Sequence, residues 1–132
     1  MKQGFFAAGS FAQTAPVPLI PRCGQCNLWR GCHSPKMPAT GEGRRGILIV
    51  GESPGKNEDE QGVQLIGKSG QRLRAELNKL GVDLDRDCWK TNSIICWPGA
   101  GNPAPTNEQI GHCRPTLTKT IAMLKPSTII LL

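Results

Sequence analysis

No apolar stretch of the 132-residue chain approaches the roughly 20 residues a helix needs to cross a bilayer, so no membrane helix is expected. The start, Met1 to Ser10, imitates a secretory signal only in outline. Gly9, Ser10 and Gln13 break its apolar part and it carries one basic residue, which predicts a protein kept in the cytoplasm. The turn Gly51-Glu52-Ser53-Pro54-Gly55 is not closed by Gly-Lys-Ser or Gly-Lys-Thr, so that turn does not read as a nucleotide phosphate loop. Its glycines are not spaced as in the dinucleotide fingerprint either. Acidic residues are scarce, 10 Asp and Glu against 16 Lys and Arg, for a net charge of +6. Such an excess favours a polyanionic partner through its summed potential. The rest is ordinary for a globular protein, 38% apolar and 20% charged, at a length that suits one domain with one modest core.

Residues 1–22 are rich in Ala, Pro and Gln, without a period, and read as an N-terminal tail. Residues 23–46 hold Cys23, Cys26 and Cys32 among prolines and glycines, a loop with too few apolar residues to pack itself. The run from Arg45 to Gly51 has the continuous apolar character of a strand buried on both faces. A glycine-rich loop from Glu52 to Gly70 follows. Ser69 is placed to cap a helix with Leu73, Leu77 and Leu80 on one face and Gly81 at its end. Residues 88–95 read as a second strand and 97–105 as a loop. Thr106 and Gln109 match a capping box ahead of Ile110, Cys113, Leu117, Ile121 and Leu124, one face of a helix that contains Pro115. Residues 128–132 predict a third buried strand. Strand, helix, strand, helix, strand predicts an α/β domain over residues 23–132, a short parallel sheet flanked by helices. An apolar strand running to the last residue predicts a sheet that is incomplete at its C-terminal end.

In a reducing compartment six cysteines are more often metal ligands or redox groups than disulfides. Cys23 and Cys26 form a Cys-x2-Cys knuckle, Cys96 follows a strand, and Cys113 lies in the capped helix. Such thiolates can converge on one centre, either tetrahedral zinc or a cubane cluster. Cys113 equally suits the apolar core of its helix, Cys88 suits packing, and Cys32 could replace one of the distant pair. The loop Gly51-Glu52-Ser53-Pro54-Gly55 leaves a strand at its C-terminal end, where parallel sheets bind ligands and glycines admit close approach. A carboxylate there suits water activation.

These segments resemble the type-4 uracil-DNA glycosylases, iron–sulfur enzymes of base-excision repair. The likeness lies in Cys23-x2-Cys26-x-Leu28, Val50-Gly51-Glu52-Ser53-Pro54-Gly55-x2-Glu58-Asp59-x2-Gly62, Gly67-x2-Gly70, Thr91-Asn92-x3-Cys96-x-Pro98 and Cys113-x-Pro115, in order from about residue 23 to the end. The resemblance implies a 4Fe-4S cluster on Cys23, Cys26, Cys96 and Cys113. It implies that Glu52 positions or activates water, that Asn92 reads the uracil edge, and that Gly51, Ser53 and Leu65 line the base site. An Asn carboxamide has the donor and the acceptor that uracil's O4 and N3–H require.

Three departures accompany it. Gln64 and Leu65 stand where the family has Pro-Phe, forfeiting part of a stacking contribution of ~1–3 kcal/mol. Trp97 replaces an Arg after the third cluster cysteine. The family's His-Pro segment has no counterpart in these 132 residues, and neither His33 nor His112 lies in such a context. The expected function is hydrolysis of the N-glycosidic bond of uracil in DNA, weak or absent in these residues alone. The expected partner is uracil-containing or single-stranded DNA, and Arg72, Arg74 and Lys79 are candidates for its phosphates. A non-catalytic iron–sulfur DNA-binding module and a zinc-knuckle interaction domain are the alternatives.

Overall fold

The computed structural model describes residues 23–132, and the expected tail over 1–22 lies outside them. Three strands, β1 (Ile47–Gly51), β2 (Cys88–Asn92) and β3 (Thr128–Leu131), form a parallel sheet in the order β2-β1-β3. Four helices accompany them: α1 (Lys56–Gln61), α2 (Lys68–Lys79), α3 (Leu84–Asp87) and α4 (Asn107–Leu124).

Successive side chains of a strand point to opposite faces, and β1 uses both. Leu48 and Val50 pack with Ala39 and with Leu117, Ile121 and Leu124 of α4. Ile49 packs on the other face with Leu84 and Cys88, covered by Leu73 and Leu77 of α2. The sheet thus lies between α2 and α4, the expected α/β layering. The Thr106–Gln109 capping box forms as predicted, with the Thr106 hydroxyl accepting from the Gln109 amide at 3.1 Å and the Gln109 side chain accepting from the Thr106 N–H at 2.9 Å.

Five details differ from expectation. The Glu52–Gly70 segment contains α1, whose residues have no apolar periodicity to announce it. Ser69 does not cap α2; Gly67 occupies the N-cap, and the Glu58 carboxylate accepts from the N–H groups of Ile66 and Gly67 at 2.9 and 2.8 Å. Leu80 falls past the last helical residue and is 76% exposed. The second strand ends at Asn92, after which Ile94 and Ile95 turn into a cluster with Cys113. The third strand is exposed, not buried, because β3 pairs with β1 on one side only; Leu131 is 75% exposed.

The cysteine-rich loop, unable to pack itself, is fastened to the sheet by backbone bonds. Thr40 and Lys90 exchange N–H···O bonds at 3.0 and 2.8 Å, and Met37 donates to the Ile95 carbonyl at 2.9 Å. Gly43 allows this closeness, since a Cβ there would fall inside the Trp89 indole.

Candidate functional site

Two arrangements stand next to each other at the C-terminal end of the strands. The first gathers cysteines. The knuckle from Cys23 to Cys26 is turned by Gly24 (φ 100°) and Asn27 (φ 61°), and the Trp29 indole N–H donates back to the Gly24 carbonyl at 2.9 Å. Leu28, in the 3₁₀ turn that follows, packs with Ile110 against the cluster of Ile94, Ile95 and Cys113. That contact carries the knuckle to α4. Cys96 and Cys113 are buried, while Cys23, Cys26 and Cys32 are half-buried; all six cysteines are free.

The N–H of Lys36 donates to Cys96 Sγ at 3.2 Å, and Cys32 Sγ donates to the Leu28 and Trp97 carbonyls at 3.3 and 3.5 Å. Burial pushes the Cys96 thiol up to about 12; the Lys36 N–H works against this, and Cys32, Cys113 and Cys26 add to it. Burial also raises Cys113, to which the charges of Cys26 and Cys23 contribute. Thiols held this high stay protonated at neutral pH unless a cation compensates their charge, as a coordinating metal does. Among the described residues no three Cys, His, Asp or Glu side chains close together tightly enough to hold a metal ion. The thiols are nonetheless near enough for the charges of Cys32, Cys113 and Cys26 to act on Cys96 and those of Cys26 and Cys23 on Cys113. Cys88 stays apart in the core beside Ile49 and Leu84, as expected.

The second arrangement lies where β1 and β2 end. Gly51 and Asn92 are register partners, and the ladder continues with Ser93 N–H to Gly51 O at 2.8 Å and Ile94 N–H to Glu52 O at 3.2 Å. Asn92 is 5% exposed, and among the described residues no hydrogen bond engages its carboxamide. Its Oδ1 lies 2.5 Å from where a Cβ would stand at Gly51, so the missing side chain is what gives the amide its place. Glu52 is exposed beside it and Ser53 is half-buried. The strand ends therefore set a buried carboxamide next to an accessible carboxylate. Leu65 is at φ 59°, and its side chain packs toward Ile49, Leu84 and Cys88.

A sequence model described as "Uracil DNA glycosylase superfamily" matches residues 38–132. The chain belongs to that superfamily. It is 40% identical over 114 residues to a type-4 uracil-DNA glycosylase of Pyrobaculum aerophilum, covering 86% of this chain and 57% of that protein. Type-4 uracil-DNA glycosylases of Saccharolobus solfataricus and Archaeoglobus fulgidus are 33% and 31% identical, each over 86% of this chain and over 51% and 55% of their own lengths. The chain thus spans about half the length of the curated relatives it matches.

Within this superfamily domain the acidic pair of the Glu58-Asp59 motif joins the two arrangements. While Glu58 holds the loop before α2, the Asp59 carboxylate, 3% exposed, accepts from the N–H groups of His33 and Ser34, both at 2.9 Å. Gln64, 1% exposed, accepts from the Thr40 hydroxyl at 2.5 Å and donates to the Pro38 carbonyl at 2.8 Å. Both roles escaped the sequence reading, and the presence of Asp59 in the motif was the one available signal. The basic residues offered for phosphate contact are engaged elsewhere. Arg72 and Lys79 both pair with Glu76, at 3.4 and 3.1 Å, and Arg74 pairs with Asp85 at 3.2 Å. No helix among the described residues is long and apolar enough to cross a membrane.

Proposed function

We propose that this chain acts on uracil in DNA, with Asn92 reading the base edge and Glu52 positioning the water that hydrolyses the N-glycosidic bond. The observation that carries this reading is the buried Asn92 carboxamide, without a hydrogen-bond partner among the described residues, set against Gly51 beside an exposed carboxylate. A base taken out of the stack presents its N3–H and O4 to such an amide. Gly51 and Ser53 would shape the floor of that site, whereas the Leu65 side chain packs against the core beside Ile49 and Leu84. The departing uracil carries negative charge, and loss of one preorganised donor to such a leaving group typically costs about 10²–10³ in rate. Release by these 132 residues is accordingly expected to be slow.

The cysteines fit an iron–sulfur centre as the group that fastens the 23–46 loop to α4. Cys23, Cys26, Cys96 and Cys113 would hold a 4Fe-4S cluster, which supplies a cationic centre for four thiolates and a covalent tie between the knuckle and the helix. A single zinc on the same thiols, drawing its sulfurs to about 2.3 Å from one ion, is the alternative. Six free thiols and a DNA substrate fit a reducing cytoplasm.

Anaerobically purified chain, incubated in excess over a uracil-containing single strand, should release uracil slowly. The Glu52→Gln/Asn92→Ala double variant should release none above buffer. Equal release by parent and double variant would end the glycosylase reading.

A further inference from the structure

The resemblance expects an aromatic face at position 65, but Leu65 stands there and packs inward. Trp89 packs against the core and Trp29 lies under Arg30 and Lys36, so among the described residues Trp97 is the aromatic ring left for a ligand. It lines an open cleft of about 490 Å³ between the start of α1 and the loop after Cys96, together with Gly55, Lys56, Asn57, Glu58 and Asn102. The Trp97 indole N–H donates to Asn102 Oδ1 at 3.0 Å, which fixes the ring, and Asn102 sits at φ 48° in its turn.

The charges suit a nucleotide. Lys56 is exposed at the cleft. The one carboxylate in the lining, Glu58, is already engaged with the N–H groups of Ile66 and Gly67. Asn57 and Asn102 are neutral hydrogen-bonding groups. A fixed aromatic face beside an exposed ammonium with no ion-pair partner among the described residues is the combination that holds an unpaired base and its phosphate. The loop that begins at Glu52 runs directly into this cleft, so a strand whose uracil lies near Asn92 would pass along it.

We infer that this cleft binds a second, unpaired base of the DNA strand, stacked on Trp97 with its phosphate against Lys56. The inference rests on the uracil-DNA reading for the identity of the strand. It assigns to Trp97 the stacking lost at position 65, on a neighbouring base instead of on the uracil.

The test is a fluorescence-anisotropy titration of end-labelled oligothymidylate, which contains no uracil, with the 132-residue chain. Anisotropy should rise on binding to the parent protein. Trp97→Ala should bind about 5- to 150-fold more weakly, the range that base–aromatic stacking supplies. Lys56→Gln should lower the slope of log affinity against log salt by about 0.7, one phosphate of a single strand. Because Trp97 adjoins Cys96, iron per chain and circular dichroism are read for every variant. If Trp97→Ala fails to fold, Trp97→Phe and Trp97→Leu decide, since Phe keeps an aromatic face and Leu does not. Phe binding at least fivefold tighter than Leu supports the cleft; equal binding by the two, or parental affinity in Trp97→Ala, overturns it. Preference for a uracil over a cytosine strand is measured in parallel. Trp97-dependent binding without any such preference would end the uracil reading alone, and a uracil preference with Trp97-independent binding would end the cleft alone.

Discussion

Replacing Asp59 with Asn nearly preserves the volume of a side chain that is 3% exposed, yet changes what it can accept. In the native chain its two carboxylate oxygens each take one backbone N–H, from His33 and Ser34, both at 2.9 Å. Hydrogen bonds to a charged group contribute about 1.5–3 kcal/mol each. A carboxamide keeps one acceptor and turns its NH₂ toward the other N–H, donor against donor. One charge-assisted bond is lost, the other is weakened, and a buried N–H is left without a partner. The expected cost is about 3–4 kcal/mol in urea unfolding, a large share of the ~5–15 kcal/mol typical of a domain. Asp59→Ala should cost no more than Asp59→Asn, because the space it opens lets water reach both amides. The bonds fall next to Cys32 and hold the loop that carries Cys23 and Cys26, so iron should also be lost faster to a chelator. Asp59→Asn unfolding within about 1 kcal/mol of the parent would refute the assignment of Asp59 as the clamp between α1 and the cysteine loop.

Three further outcomes follow from the same contacts. Gly51→Ala puts a methyl 2.5 Å from Asn92 Oδ1 in extended backbone where Ala is unstrained, so discrimination for uracil strands should fall while iron content stays unchanged; full discrimination would mean that Asn92 is not the reader. Cys96→Ser and Cys113→Ser should each abolish the broad brown absorbance, whereas Cys32→Ser and Cys88→Ser should keep it, and the reverse pattern for Cys32 and Cys113 would reassign the ligands. Burial alone would raise the Asp85 carboxyl, but hydrogen bonds from Lys90 and Arg74 outweigh it and hold the carboxyl below its ordinary value. Its stabilising contribution is thus present above the unfolded-state pKa and is lost as pH falls through the lower folded-state one. Asp85→Asn should flatten that acid limb. At neutral pH it should cost about 3 kcal/mol, because the 2% exposed Lys90 ammonium loses its 2.5 Å partner; this is the low end for a broken buried pair, since Asp85 itself is 56% exposed. A cost under about 1 kcal/mol by urea denaturation would show that water already solvates Lys90.

The parallel sheet and its two long helices were legible because they are written in local pattern. The Ile47–Val50 run, the Leu73–Leu77 pair and the Thr106–Gln109 box each specify an element within a few residues. α1 was not legible, because the residues from Lys56 to Gln61 are all polar and its Asp59 is fixed by partners 25 and 26 residues away. α3 did carry a local signal, the Asp83 side chain accepting from the N–H groups of Asp85 and Arg86, although four residues are too few to show a period. The exposure of β3 depends on what lies beside it, which the pattern of Thr128 to Leu132 does not encode. At the site, motif spacing located Gly51, Glu52 and Asn92 at the strand ends, and the register joined Gly51 to Asn92. That Leu65 turns inward and Trp97 faces a cleft followed only from the packing of distant segments.

The most direct test of the reading of Asn92 is equilibrium binding of the chain to two single strands identical except for one uracil or one cytosine. Cytosine reverses the edge, with an amino donor where uracil has O4 and an acceptor where uracil has N3–H. The parent should prefer the uracil strand by about tenfold, the discrimination one well-placed two-point contact supplies. Asn92→Asp offers acceptors only, so that preference should disappear while iron content and strand affinity in general are kept. An Asn92→Asp variant that discriminates as well as the parent would contradict the account.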